Sequence, residues 1–237
     1  MRIGNLTIRQ FRYSRDNFSY LIYGDHEAVV IDGGAVDAIV TFLRARSLQL
    51  LYVLNTHMHS DHTAGNHALL QQTTAEFLDC RKLAEIGELL FGNDRIMIYR
   101  TPGHTGDSIC LHLDAVLFTG DTLFNGTVGN CFSGDMRSFY DSLMMLCSLP
   151  GSTLIYAGHD YVRSSMAFAK KIEPMNRDID RYLERYDPQH VWSLLKDELQ
   201  VNPYLRFNEK AIVDVLCSHR LPVATAYEKW HSLMAID

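Results

Sequence analysis

The chain has 237 residues, enough for one large domain, or a domain with a modest appendage, around a sizeable buried core. Hydrophobic residues make up 47% and charged ones 21%, a balance that excludes a disordered or fibrous chain. The formal net charge is −6 and no block of Lys or Arg stands out, so neither nucleic acid nor an anionic membrane is the expected partner. In chain order, β-favouring runs at 6–11, 18–23 and 28–31 are separated by polar turns such as Gly24-Asp25. Residues 35–46 have helical spacing, with Val36, Ile39, Val40 and Leu43 on one face. An apolar strand at 50–54 stops at Asn55-Thr56. Further strands are expected at 75–78, 96–99, 109–113, 116–118 and 154–156, and helices start near Asp61, Arg81 and Arg137. Such alternation implies an α/β architecture.

Beyond about residue 165 strand-like runs disappear, and Tyr182, Tyr186, Trp192, Leu195 and Leu199 recur at helical spacing. The expected division is a main domain over 1–165 and a mostly helical region over 166–237 that packs on it, because no flexible linker separates them. No run reaches the roughly 18 apolar residues of a membrane span, and the N-terminal residues lack an apolar stretch of signal-peptide length. Five cysteines (Cys80, Cys110, Cys131, Cys147, Cys217) with no C-x-x-C pair read as free thiols. A cytoplasmic location is expected. The sequence leaves the oligomeric state open.

Eleven histidines are many for this length, and their placement is uneven. Residues 56–62 read T-H-M-H-S-D-H directly after a buried strand, gathering His57, His59, Asp61 and His62 within six positions. In an extended segment side chains two apart point the same way, so His57 and His59 can converge on one ion. If a helix begins at Asp61, Asp61 and His62 project to another side, which suits two neighbouring ions better than one. His104 in T-P-G-H-T-G, Asp121 in F-T-G-D-T and His159 in Y-A-G-H-D-Y sit at or beyond strand ends, where loops gather at a common edge. Singly each would be an ordinary turn residue; together with the first motif they form a candidate metal site.

These motifs resemble the metallo-β-lactamase superfamily and, within it, the glyoxalase II (hydroxyacylglutathione hydrolase) branch. The resemblance runs from D-N-F-S-Y-L (16–21) and V-I-D-G-G (30–34) through the metal motif, G-D-T-L-F (120–124) and G-H-D-Y (158–161). It continues at E-P-M-N (173–176) and N-P-Y-L-R (202–206). It implies a four-layer αββα sandwich with a helical C-terminal region. Two divalent ions, Zn, Fe or Mn, are implied: one held by His57, His59 and His104, the other by Asp61, His62 and His159, with Asp121 bridging. Asp32 matches an acidic residue behind the site that orients the metal loop. Two such ions hold a bridging hydroxide near neutral pH and polarise a carbonyl. A thioester then leaves as a thiolate without a strong general acid, and Asp61 can accept a proton transiently beside the bridging Asp121.

Substrate recognition departs from the family. Where glyoxalase II places a basic residue for glutathione, this chain has Asn130, with Phe132 keeping an aromatic. Near the C-terminus Ala226 replaces an Arg, while Lys229 and Tyr161 remain candidate substrate contacts. The expected substrate is therefore a small thioester, with glutathione as its carrier left open. The alternatives are a persulfide dioxygenase using one iron on His57, His104 and Asp121, and a lactone or ester hydrolase on the same dinuclear centre. A non-catalytic metal-binding protein is a further reading, disfavoured because all seven ligands are present.

Overall fold

The computed structural model describes residues 1–236. The first sheet runs in the order β1 (Arg2–Ile3), β2 (Leu6–Tyr13), β3 (Asn17–Tyr23), β4 (Glu27–Ile31), β5 (Gln49–Leu54), β6 (Glu76–Leu78). Strands β1 to β4 are joined by short turns and pair antiparallel. Strands β4, β5 and β6 are parallel, because helical crossovers return the chain to the same edge: α1 (Val36–Arg46), then α2 (Ser60–Thr63) and α3 (Asn66–Gln72).

After α4 (Cys80–Ile86) the chain enters the second sheet. There β7 (Glu88–Phe91), β8 (Asp94–Arg100), β9 (Ile109–Leu113) and β10 (Val116–Gly120) form an antiparallel meander. Helix α5 (Met136–Cys147) crosses over to β11 (Leu154–Ala157), which pairs parallel with β10. Helices α6 (Val162–Ile172) and α7 (Arg177–Arg185) follow, then β12 (Ser193–Leu194), α8 (Leu195–Val201), α9 (Lys210–Ser218) and α10 (Ala226–Met234).

The period of two along the strands produces the layers. In β3, Tyr20 and Ile22 face the space between the sheets, while Leu21 faces α1. In β10, Val116 and Phe118 face inward and Leu117 faces the outer helices. In β11, Tyr156 faces inward and Ile155 outward. Strands buried on both faces read as continuous apolar runs, which is why these segments lack alternation in the sequence. The inter-sheet core sets Ile8, Ile22, Ile31 and Leu54 against Ile96, Leu111, Phe118 and Tyr156. The outer clusters bury Ile39 and Leu43 of α1 on one side. On the other they bury Phe139 of α5, Leu216 of α9 and Trp230 of α10. The expected αββα sandwich with a helical C-terminal region is observed.

Three strands escape the sequence reading, the two-residue β1 among them. Strand β7 is four residues long with Leu90 63% exposed, so its alternation is faint. The region beyond 165 is not purely helical, because β12 adds to the second sheet beside β11, Leu194 opposite Leu154 and Ser193 opposite Ile155; two residues leave no periodicity to detect. No helix among the described residues is long and apolar enough to cross a membrane.

Buried polar contacts brace the C-terminal region internally, through Arg206 and Glu173, and tie it to the sandwich, through Glu198 and Asn202. Arg206 donates from Nε and Nη2 to the two oxygens of Glu173, at 2.8 Å each. The fully buried Glu198 carboxylate accepts from Tyr182 Oη at 2.7 Å, the Gly126 amide at 2.8 Å and Asn202 Nδ2 at 3.2 Å. Asn202 Nδ2 also donates to the Thr127 carbonyl at 3.0 Å. The chain around Gly126 and Thr127, next to the metal loops, is thereby held by α8 and the residues after it.

Candidate metal centre

Five strands deliver the site at their C-terminal ends. Asp32 follows β4, His57 follows β5, His104 follows β8, Asp121 follows β10 and His159 follows β11. Backbone bonds cross-brace these loops: Phe18 N donates to Gly158 O at 2.8 Å and Gly158 N to Gly120 O at 2.8 Å. His59 precedes α2 in an extended conformation, so the helix turns Asp61 and His62 away from His57 and His59.

Donor atoms of His57, His59, His104 and Asp121 lie within 4.8 Å of one another, and so do those of Asp61, His62 and His159. In the first group His104 Nε2 is 3.0 Å from His59 Nδ1 and 3.4 Å from Asp121 Oδ2. In the second, His62 Nε2 is 3.2 Å from His159 Nε2, and His159 Nε2 is 3.3 Å from Asp61 Oδ2. Asp121 faces both groups, with Oδ1 3.2 Å from His62 Nε2 and Oδ2 3.5 Å from His159 Nε2.

The donor set suits divalent cations. Ligands at about 2.1 Å around a tetrahedral ion stand about 3.4 Å apart, close to these separations. His57 Nε2 and Asp121 Oδ1 are buried without a hydrogen-bond partner, although Oδ1 is near His62 Nε2. Atoms that crowd together without hydrogen bonding are aimed at a common point. Imidazoles with carboxylates and no thiolate form a borderline-hard set.

Four of the five histidines are oriented from behind, while His59 turns its Nδ1 toward His104. His62 Nδ1 is 2.9 Å from Asp32 Oδ2, His159 Nδ1 3.0 Å from Asp16 Oδ1, His104 Nδ1 2.9 Å from the Asn130 carbonyl and His57 Nδ1 3.1 Å from Thr56 Oγ1. With Nδ1–H donating outward in these four, Nε2 is the nitrogen that faces the site. Asp32 also accepts from the Thr56 amide at 2.9 Å, Thr56 Oγ1 at 2.7 Å and Asn55 Nδ2 at 3.2 Å. Burial opposes ionisation of Asp32, but His62 outweighs it and holds the carboxyl below its ordinary range. Burial, reinforced by His62, pushes His57 down to about 3, so its imidazole is neutral. For His62 burial acts downward too, yet Asp32 and Asp121 raise its pKa well above the usual value.

A model of the metallo-β-lactamase superfamily matches residues 13–78 and 79–159, and one of the hydroxyacylglutathione hydrolase C-terminus matches 160–230. The chain is 30% identical over 230 residues to the hydroxyacylglutathione hydrolase of Idiomarina loihiensis, covering 90% of this chain and 91% of the relative. It is 33% identical over 215 residues to that of Methylobacillus flagellatus, covering 84% and 86%. The chain belongs to the hydroxyacylglutathione hydrolase family of the metallo-β-lactamase superfamily. Among solved structures it is similar to ETHE1 from Myxococcus xanthus, with a TM-score of 0.70 and 25% identity over 97% of this chain and 90% of that one. The BLEG-1 B3 metallo-β-lactamase shares the fold, with a TM-score of 0.65 and 21% identity over 84% and 99%.

Beside the centre of this family member lies a cavity of about 210 Å³ walled by Phe124, Val128, Tyr161 and Phe168, with Thr127, Asn130, Ser164 and Ser165 between them. Tyr161 stacks on His159 with centroids 5.1 Å apart and planes at 6°, and the Phe124 ring is 5.9 Å from His159. Asn130 and Tyr161 thus come together at the cavity. Phe132, 67% exposed, instead lies outside that lining, its ring 5.5 Å from His59 and 5.3 Å from His104. Lys229 is not in the lining either, and its Nζ donates to Asn208 Oδ1 at 3.0 Å.

Three supporting residues had no site role in the sequence reading. Asp16 orients His159; Asn17 Nδ2 donates to Asp61 Oδ2 at 2.9 Å; Tyr13 Oη donates to the Asp61 carbonyl at 2.8 Å. The available signal was a polar D-N pair opening an otherwise apolar strand, with Asn17 itself buried.

Proposed function

We propose that this protein hydrolyses a small thioester of the hydroxyacylglutathione type at a centre of two divalent ions, Zn, Fe or Mn. The observation that carries this reading is Asp121, whose carboxylate faces a complete histidine group on either side. His57, His59 and His104 would hold one ion, Asp61, His62 and His159 the other, and Asp121 both. The chemistry such ions supply is activation of water at neutral pH and polarisation of a carbonyl.

The chain's own residues do the rest. Asp32, Asp16, Thr56 and the Asn130 carbonyl fix the imidazole orientations. Asp61, half-exposed and tethered through Oδ2 to Asn17, accepts the proton released from water. Phe124 and Tyr161 wall the approach with aromatic surface and exclude bulk water there. The products are a carboxylic acid and a thiol, and a thiol is acidic enough to leave as thiolate without a dedicated acid. The helical region beyond 165 shapes the substrate side, since Glu198 and Asn202 hold the chain around Gly126 and Thr127. The free cysteines suit a reducing, cytoplasmic compartment.

The test is thiol release from lactoyl thioesters by metal-replete protein, with Asp121→Ala as control. A kcat/KM of about 10⁴ M⁻¹s⁻¹ or more, lost in the variant, is expected. No release above the variant's level would refute the reading. Iron bound at one per chain, with thioesters left intact, would favour the persulfide dioxygenase instead.

A further inference from the structure

The cavity beside the centre is uncharged, and its hydrogen-bonding capacity is partly spent. Among the described residues none of those lining it carries a formal charge at neutral pH. Ser164 and Ser165 donate their hydroxyl protons to the Tyr161 carbonyl, at 2.9 and 2.7 Å, and so offer a ligand only lone pairs. The remaining donors are neutral: the Asn130 amide, the Thr127 hydroxyl and the Tyr161 hydroxyl.

No cation is among the lining residues; Lys171, one turn beyond Phe168 on α6, is exposed outside it, and other cations of neighbouring elements have partners of their own. On α6, Arg163 stacks over Tyr186 with Cζ 5.3 Å from the ring centroid, and Lys170 pairs with Asp180 at 2.7 Å. Arg206 is clamped to Glu173, and Lys229 is bonded to Asn208. A carboxylate placed against this wall would lose water and meet no opposite charge, whereas an amide or ester would meet partners it can use.

We propose that this cavity selects thioesters whose thiol arm is uncharged where it lies between α6 and Asn130, and discriminates against a thiol arm bearing free carboxylates. The inference rests on the thioesterase reading and deepens it. The reaction is unchanged: water adds to the thioester carbonyl, the carbon–sulfur bond breaks, and an acid and a thiol leave.

The experiment compares kcat/KM of metal-replete native protein for S-lactoylglutathione, for its dimethyl ester and for S-lactoyl-N-acetylcysteamine. The two uncharged thiol arms are expected to exceed the free glutathione thioester by at least tenfold. In Asn130→Lys, which places a cation on the rim, the ratio should move at least tenfold toward the free glutathione thioester. Equal or greater kcat/KM for the free glutathione thioester in the native protein would overturn the proposal while leaving the thioesterase reading intact. Hydrolysis of none of the three by protein holding its metals would overturn both.

Discussion

Replacing Asp32 by Asn tests whether the metal loop is held from behind as the geometry indicates. The residue is 1% exposed and accepts four hydrogen bonds, from Asn55, the Thr56 amide, the Thr56 hydroxyl and His62 Nδ1. An Asn has one oxygen and one NH₂, so its nitrogen must face either His62 Nδ1–H or the Thr56 amide. The Thr56 hydroxyl can rotate and accept, but one buried donor still loses its acceptor, at a cost of about 1–3 kcal/mol. For a chain of this size that corresponds to a fall in Tm of roughly 2–10 °C. The second consequence is local: His62 is freed to turn or change tautomer, and such a change behind a ligand lowers metal affinity by about 10–100-fold. Competitive chelator titration and thermal melting, run on the same samples, read both effects. Affinity within twofold of the native protein, with Tm unchanged, would refute the assignment.

Three further outcomes are expected. Gly158→Ala would put a methyl inside van der Waals distance of Asp121 Oδ1 and 2.8 Å from His62 Cε1, so fewer than one metal per chain should survive dialysis; full metal content would contradict the geometry. Burial raises the Glu198 carboxyl above its ordinary value of 4.5, against hydrogen bonds that act downward, so the folded state keeps this proton to higher pH than the unfolded state. That contribution to stability is present at acid pH and is lost as pH rises from about 4.5 through the folded pKa. The Tm difference between native protein and Glu198→Gln should therefore shift toward the variant over that range; parallel curves would contradict it. Arg206→Ala leaves Glu173 buried without its bidentate partner and should cost about 3–5 kcal/mol in urea unfolding. A loss below about 1 kcal/mol would mean that Glu173 finds water or another donor.

The clustering of the candidate ligand residues was legible because each belongs to a short local pattern at or beyond the end of a strand, and strand ends converge in an α/β sandwich. His57, His59, Asp61 and His62 need only an extended segment turning into a helix, and α2 begins at Ser60. Residues that act across the fold leave weaker traces. Asp16 meets His159 only because the start of β3 in one sheet is bridged to the segment after β11 in the other, a relation no spacing reports. The E-P-M-N and N-P-Y-L-R segments read as family markers, but their local sequence does not reveal that Arg206 and Glu173 pair. The placement of the substrate-side candidates was the least legible, since it depends on which side chains meet in the fold: Asn130 and Tyr161 line one cavity, Phe132 lies beside His59 and His104, and Lys229 bonds to Asn208. The same dependence hid the partners of Arg163 and Lys170 and the absence of charge from the cavity lining.

The central claim is that one carboxylate joins two metal positions and that hydrolysis needs both. Its most direct test is the initial rate of lactoyl thioester hydrolysis as metal-free protein is titrated with Zn, Fe or Mn, at substrate well below KM. The account predicts a rate that rises until two equivalents per chain are bound and is flat thereafter. A plateau at one equivalent, or no hydrolysis with two ions bound, would contradict it.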